Sequence, residues 1–333
     1  MGMKIVRFSS FADTEGLFTA ALTGHEVVFV QEPLSLQNAG LAAGAEAIAV
    51  FVDCDVSKAV IDAMPGVKLI VAESTGTDHI DMTYAKEKSI KVANVPGYGV
   101  SSVAEFTFGL MLNLSRHINF ASQEVRESGT FDVRAFQGFD LQGKTLGIVG
   151  TGRIGMHVAE IARGFGMKII AFDVHPDATR AAELGFTYVS LLELAAQADV
   201  ITLHVPYMKE THHLINADLF AHMKRGVVIV NTARGEVIDT IALVEALKSG
   251  KVAGAGLDVL EGERELHKEG AIIKMQVSPD HDLRPLVGDH MLMDMPNVIV
   301  TPHIAFHSKE ADMDRVSRAV GAITEYVSGA KGV

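Results

Sequence analysis

The sequence predicts an α/β protein built from two doubly wound parallel sheets. Three observations predict it. Short apolar runs alternate with segments of helical length, in two successive series. The second series opens on a glycine-rich turn between a strand and a helix. The chain has 333 residues, more than one small core serves, and suits about two domains. Strand–helix alternation gives a parallel sheet with helices on both faces, and strands buried on both faces read as unbroken apolar runs.

In the first series, buried strands are expected at Ile5 to Phe8, Val27 to Val30, Ile48 to Val52, Leu69 to Ala72 and Val92 to Val95. Ser57 to Met64 and Asp78 to Lys88 have helical length. A long helix follows. Ser102 with Glu105 three residues on is a capping box, and Phe106, Leu110, Leu114 and Ile118 then recur at helical spacing. From Gly138 to Lys144 the chain turns polar and glycine-rich. The second series has strands at Leu146 to Val149, Lys168 to Phe172, Val200 to His204, Val227 to Asn231, Gly254 to Asp258 and Val298 to Thr301. Six strands with intervening helices match a doubly wound dinucleotide-binding domain. Arg264 to Pro296 mixes prolines, two Asp-His pairs and a methionine cluster, and carries no assignment. Glu310 to Val327 is an amphipathic helix with Met313, Val316, Val320, Ile323 and Val327 on one side, expected to pack on the first domain.

Composition narrows the class. Apolar residues make up 48% and charged residues 21%, which excludes a disordered chain. The formal net charge of −12 opposes binding to nucleic acid or anionic membranes. The single cysteine, Cys54, excludes an internal disulfide and a multi-cysteine metal site, and reads as a small buried hydrophobe. Met1 to Phe8 lacks the apolar core of a signal peptide, and Val6 stands where myristoylation wants Ser or Thr. No run of about 18 apolar residues occurs, so the expectation is a soluble cytoplasmic protein. His212, His213, His281 and His290 lack companion ligands at useful spacing, so no metal site is expected. Met275, Met291, Met293 and Met295 read as packing residues.

The cofactor signal is Gly150-Thr151-Gly152-Arg153-Ile154-Gly155, a GxGxxG motif. It follows a strand, opens a helix carrying Ile154, Val158 and Ile161, and precedes a further strand ending in Asp173. In that context the first glycine permits the tight turn, and the second lets the backbone approach a pyrophosphate at the helix N-terminus. Asp173 would accept hydrogen bonds from the adenosine ribose hydroxyls and repel a 2′-phosphate. Val174-His175-Pro176 supply no guanidinium to reverse that preference, so NAD is expected over NADP.

Three later segments place polar residues directly after strands, where an open α/β sheet meets its ligand. They are Asn231 to Gly235, Gly254 to Glu263, and Thr301 to Phe306. An Arg, a Glu and a His converging there have a clear use. Arg234 can hold a carboxylate bidentately. His303 can exchange a proton near neutral pH, with Glu263 behind it to orient it and raise its pKa.

Taken in order, Ser74-Thr75-Gly76-Thr77-Asp78-His79-Ile80-Asp81, Asn94-Val95-Pro96-Gly97-Tyr98, Val103-Ala104-Glu105, the GxGxxG, His204-Val205-Pro206 and these three segments make the chain resemble the D-isomer-specific 2-hydroxyacid dehydrogenase family along essentially its whole length. The D-lactate dehydrogenase branch is the nearest match, through His303-Ile304-Ala305-Phe306 and the Asp258 to Glu263 run. The resemblance implies a Rossmann NAD-binding domain, residues 102–299, inserted into a discontinuous flavodoxin-like substrate domain, residues 1–101 plus 300–333. It also implies a homodimer formed through the cofactor domain by the long helix after Ser102.

The resemblance further implies roles. Arg234 would clamp the substrate carboxylate and keto oxygen, His303 would exchange the proton with that oxygen, and Glu263 would pair with His303. Thr75 and Gly76 would offer backbone N–H groups to the carboxylate, and Tyr98 and Phe306 would line the side-chain pocket. Arg153 and Ile154 would touch the pyrophosphate, and Val205, Pro206 and Thr211 the adenosine side. Thr232, Ala233 and Asp258 would flank the nicotinamide ribose and carboxamide, with Val103 nearby. The expected reaction is reversible hydride transfer between NADH and a small 2-oxo acid, with pyruvate to D-lactate first. Glyoxylate or hydroxypyruvate reduction is the alternative within the class. An NADH-sensing transcriptional regulator of the same fold lies outside it, and a formate or phosphite enzyme is a third possibility against which Glu263 speaks. Glu73 stands where many relatives carry Arg, which is expected to change how the entrance greets an anion. Gly99-Val100 and Arg264 also depart from the family pattern.

Overall fold

The computed structural model describes residues 2–266 and 284–329. The chain divides into two compact units, Met1–Gly99 with His307–Val333, and Val100–Phe306.

In the first unit the strands are β1 (Lys4–Arg7), β2 (Glu26–Phe29), β3 (Ala47–Val50), β4 (Leu69–Ala72) and β5 (Lys91–Asn94), with helices α1 (Ala12–Ala21), α2 (Lys58–Asp62) and α3 (Met82–Glu87) between them. All pairings are parallel and the order is β2-β1-β3-β4-β5, the flavodoxin-like order. Strands β3 and β4 are wholly buried because alternate residues feed two cores. Ile48, Val50, Ile70 and Ala72 face Val60, Ile61, Met64 and Ala85. Ala47, Ala49, Leu69 and Val71 face Phe18, Leu22 and the last helix of the chain. The Cys54 thiol is buried, and burial, with Asp53 beside it, pushes it up to about 11.

The second unit begins with α4 (Val100–Arg116) and α5 (Ile118–Ser128). Ser102 therefore lies inside the first helical turn rather than at its N-cap, because the turn through Gly97 and Gly99, both at positive φ, delivers the chain into the helix at Val100. Ile118 does not continue the stripe of Phe106, Leu110 and Leu114. His117 takes a left-handed conformation that ends α4, and Ile118 is exposed on α5.

The sheet follows as β6 (Thr145–Val149), α6 (Arg153–Gly164), β7 (Lys168–Phe172), α7 (Ala178–Leu184), β8 (Thr187–Tyr188), α8 (Leu191–Gln197), β9 (Val200–Leu203), α9 (Ala217–His222), β10 (Val227–Asn231), α10 (Thr240–Lys248), β11 (Val252–Leu257), α11 (Glu263–Leu266), α12 (Arg284–Asp294) and β12 (Val298–Val300). Its order is β12-β11-β10-β9-β6-β7-β8, all parallel, and it reverses direction between β6 and β9. That is the switch point at which a doubly wound sheet of the Rossmann type takes its ligand. The expected six strands become seven, because the two-residue β8 is too short to register as an apolar run.

Helix α12 occupies part of the stretch left unassigned in the sequence. Pro285 is tolerated as its second residue, where the missing N–H has no intrahelical partner to lose. The buried Gly288 and Asp289 interrupt the apolar pattern that would have announced it. Met275 and His281 lie outside the described residues.

The second unit keeps residues up to Phe306, beyond the expected change at 300. The physical tie is Asp258, whose carboxylate accepts from Thr301 Oγ1, Ile304 N and Ala305 N. The chain then returns to the first unit as α13 (Lys309–Val327), capped by Ser308. Its buried stripe is Ala311, Asp312, Arg315, Val316, Ala319, Val320 and Ile323, so Met313, expected on that side, is 48% exposed.

The stripe shifts because Arg315 enters a buried ion network. Glu73, at the end of β4, accepts from Arg7 Nε at 2.6 Å and Nη2 at 2.9 Å, and from Arg315 Nη1 at 2.6 Å. Arg315 Nη2 also donates to Asp312 at 3.2 Å, and Arg7 Nη1 to Thr14 at 2.8 Å. Both guanidinium groups lie over aromatic rings, Arg7 over Phe18 at 4.6 Å and Arg315 over Phe51 at 4.5 Å. Glu73 is 1% exposed, so it greets no incoming anion, contrary to expectation. No helix among the described residues is long and apolar enough to cross a membrane.

Candidate active site

The site is built at the carboxyl ends of β10, β11 and β12. Asn231 closes β10 and is buried. Its amide oxygen accepts from Ala233 N at 3.0 Å and its amide nitrogen donates to the Arg234 carbonyl at 2.9 Å. One side chain thus folds the Thr232-Ala233-Arg234 turn. The sequence places Asn231 at the head of this polar segment without giving it a role, although a polar residue ending an all-apolar strand was the available signal. Gly235 completes the turn, and a Cβ there would collide with the Leu260 backbone. Arg234 Nη1 donates to the Ala233 carbonyl at 2.8 Å. Thr232 Oγ1 lies 3.0 Å from Thr107 Oγ1 of α4.

His303 sits after β12 at φ +53°, a left-handed conformation rare for a non-glycine residue. Its N–H donates to the carbonyls of Asp258 at 2.9 Å and Thr301 at 3.0 Å. With the three bonds to the Asp258 carboxylate, these fix the His303 backbone from both sides. Asp258 is 1% exposed, and burial raises its carboxyl above the ordinary range against the donors from Thr301, Ala305 and Ile304. Both oxygens of Asp258 are engaged by the segment bearing His303. The imidazole Nδ1 of His303 lies 2.8 Å from Glu263 Oε1, and the Phe306 ring packs edge-on at 6.3 Å. Arg234, Glu263, His303 and Phe306 therefore all stand on segments that leave the same edge of one sheet.

The cofactor side lies at the switch point. Gly150 has φ +92°, and a Cβ there would meet the His204 carbonyl and Val205 Cγ1 at 2.8 Å. A Cβ on Gly155 would collide with the Gly150 carbonyl. Around Gly152 there is open space, and as N-cap of α6 it brings no side-chain acceptor to the helix terminus. Such a terminus suits a pyrophosphate. Asp173, just after β7, accepts from Thr151 N at 2.6 Å, Thr151 Oγ1 at 3.0 Å and His175 N at 2.8 Å. Burial works to raise this carboxyl, but those donors outweigh it and hold it below the ordinary range, so it stays charged. The residues present fit a dinucleotide with free ribose hydroxyls.

Of the other expected cofactor residues, Ile154 and Val205 are partly buried in the two cores of the unit. Thr211 bonds the Pro206 carbonyl at 2.7 Å and closes its own loop. Val103 is buried in the first turn of α4, and Arg153 is the first residue of α6.

The expected substrate residues of the first unit follow β4 and β5. Ser74 Oγ donates to the Gly76 carbonyl at 2.6 Å and Thr75 Oγ1 to the Val95 carbonyl at 3.1 Å. Asn94 Nδ2 donates to the Thr75 carbonyl at 2.8 Å, so the loop through Gly76 is braced from both strands. Tyr98 packs on the core beneath α13. Among the described residues, no group of three His, Cys, Asp or Glu side chains is placed to hold a metal ion.

Comparison with known proteins agrees with this geometry. Residues 108–305 match the model of the D-isomer specific 2-hydroxyacid dehydrogenase, NAD binding domain. The chain is 41% identical over 290 residues to a D-lactate dehydrogenase of Escherichia coli, covering 86% of this chain and 85% of that one. It is 37% identical over 306 residues to an aromatic 2-oxoacid reductase of Clostridium sporogenes, covering 91% and 89%. The fold matches the crystal structure of a D-lactate dehydrogenase from Aquifex aeolicus complexed with NAD and lactic acid, with TM-score 0.85, 34% identity and coverage of 98% and 96%. The chain accordingly belongs to the D-isomer specific 2-hydroxyacid dehydrogenase family and is an NAD-dependent oxidoreductase acting on the CH–OH group of 2-hydroxy acids.

Proposed function

We propose that the chain reduces pyruvate to D-lactate, with Arg234, Glu263 and His303 as its working residues. The observation that carries this reading is the His303–Glu263 pair at 2.8 Å, locked at the carboxyl edge of the sheet by Asp258. Glu263 engages Nδ1, so the proton exchanged with substrate is carried on Nε2. Arg234 holds the substrate carboxylate through its planar fork and polarises the keto oxygen. Bound NADH supplies the hydride that C2 accepts. As that C–H bond forms, the carbonyl π pair moves to oxygen, and oxygen takes the proton from His303. The resulting imidazole is re-protonated from solvent, and Glu263 keeps the imidazolium oriented through the cycle.

The Escherichia coli and Aquifex relatives support a small substrate, and the Clostridium relative supports bulkier ones. A panel of pyruvate, glyoxylate, hydroxypyruvate and phenylpyruvate, each followed by NADH absorbance, tests the order. Pyruvate is expected to have the highest kcat/KM, and a higher value for phenylpyruvate reverses the assignment. His303→Ala is expected to lower kcat by about 10²–10⁴ while sparing NADH binding, and near-normal turnover removes His303 from the mechanism.

A further inference from the structure

Asp289 on α12 is buried to 0% exposure and plays no part in the chemistry derived so far. Its Oδ2 accepts from Gly262 N at 2.7 Å, and its Oδ1 has no hydrogen-bond partner among the described residues. A buried polar atom left unpaired costs free energy, so a carboxyl in such a place calls for a reason that packing does not supply. Gly262 lies between Glu261 and Glu263. Glu261 Oε1 meets His213 Nε2 at 2.6 Å, and its Oε2 accepts from Thr240 N at 3.2 Å. Glu263 meets His303. Three carboxyl groups therefore share one turn. Two have an imidazole each, and Asp289 has a single amide N–H. The approach depends on glycine, since a Cβ on Gly262 would stand 2.7 Å from Asp289 Oδ2.

We propose that Asp289 is a positioning residue for the reaction, a proton-linked carboxyl that anchors the Gly262 turn and through it governs how firmly the Glu263–His303 pair holds its proton. The coupling rests on the role given above to His303. Burial is the first cause that pushes Asp289 up to about 7, and Glu261 and Glu263 add to it. The Gly262 N–H and His290 oppose it. Among the described side chains, the charged or titratable groups acting on it are Glu261 and Glu263 from the turn, which in their turn meet His213 and His303, and His290 on its own helix. The neighbouring α10 brings Thr240 to this corner, and β12 is valine and isoleucine throughout.

Below neutrality Asp289 is uncharged and the turn carries the charges of Glu261 and Glu263. As pH rises through neutrality Asp289 ionises, and a third negative charge appears beside Glu263. That charge favours the imidazolium form of His303. A firmer hold on that proton favours 2-oxo acid reduction, in which His303 is the proposed donor.

The test uses the full-length protein. The His303 imidazole is titrated by NMR in wild type and in Asp289→Asn, with His303→Ala assigning the resonance. Asn retains an acceptor for Gly262 N–H and removes the charge. The His303 midpoint is expected to move to lower pH by more than about 0.3 unit in Asp289→Asn. The alkaline limb of kcat/KM for pyruvate reduction is expected to move with it. Asp289→Leu, which removes the buried polar group altogether, repeats the measurement should the Asn variant fold poorly. Coincident His303 midpoints in wild type and variants overturn the proposal. A moved midpoint in a protein that turns over no 2-oxo acid instead overturns the reading of function and leaves the Asp289–His303 linkage standing.

Discussion

Glu73→Gln is the most informative single change in the first unit. The native carboxylate is 1% exposed and receives three N–H donors, from two arginines that are themselves fully buried. Its Oε2 alone accepts from both Arg7 Nη2 and Arg315 Nη1. A carboxamide can place an oxygen at only one of the two positions, and its NH₂ then faces a guanidinium donor. Two buried cations remain, with Asp312 as the only carboxylate among the described residues still bonded to either of them. Removing one partner of a buried ion pair costs about 3–5 kcal/mol, because the other charge stays buried without compensation. Domain stabilities are about 5–15 kcal/mol, so this loss is a large share. Urea denaturation followed by far-UV circular dichroism measures it. With a slope of about 1–3 kcal/mol per molar urea, the transition of the first unit should fall by about 2 M. The transition of the second unit should stay in place, so the curve is expected to split in two. The matching control replaces all three residues by apolar ones, Arg7→Met, Glu73→Leu and Arg315→Met together. That variant should recover most of the loss, because the desolvation cost disappears with the charges. A Glu73→Gln protein within about 1 kcal/mol of wild type, or a triple variant no better than the single one, refutes the account.

Two further outcomes are expected at the working site. Arg234→Lys should raise KM for pyruvate by about 10–100-fold, because an ammonium replaces a planar two-point clamp by a single contact; an unchanged KM in initial-rate assays removes the clamp. Asp173→Ala should narrow the preference for NADH over NADPH by roughly tenfold or more, since the carboxylate that receives ribose hydroxyls and repels a 2′-phosphate is gone. A wild-type protein already faster with NADPH would show that the charge at Asp173 is not what selects the cofactor.

Much of the architecture was legible because its signals are local. A strand buried on both faces needs four or five consecutive apolar residues, and Ala47–Val50, Leu69–Ala72 and the first four residues of Val227–Asn231 supply them. Gly150 was legible for a similar reason, since the φ of +92° and the close approach of His204 leave no room for a side chain. The elements that escaped are those whose stability comes from distant partners. Helix α12 has Pro285, Gly288 and Asp289 where an apolar stripe is expected, and it is held by packing on α10 and by the bond to Gly262. The shifted face of α13 is set by Glu73, 242 positions away in sequence, which draws Arg315 inward at the expense of Met313. An arginine on a helix reads as a solvent-facing residue until its acceptor is known.

The same reasoning explains why His303, Glu263 and Arg234 could be read as candidates while their supports could not. The candidate groups announce themselves by chemical type at strand ends. The supports are ordinary residues whose work depends on direction. Asn231 folds the Arg234 turn with both ends of one amide, and Asp258 holds the His303 segment with both oxygens of one carboxylate. Asn231 engages backbone groups through both its amide atoms, and Asp258 engages backbone and hydroxyl groups through both its oxygens, all within a few residues of a candidate side chain. Such pre-organisation is what lets a histidine remain at φ +53°. It also shows why an acidic protein of net charge −12 can serve an anionic substrate. At the site the described carboxyl groups are engaged within the protein, Asp258 and Asp289 by backbone amides and Glu263 by His303. On the proposed reading, Arg234 and His303 are then the residues left to meet the anion.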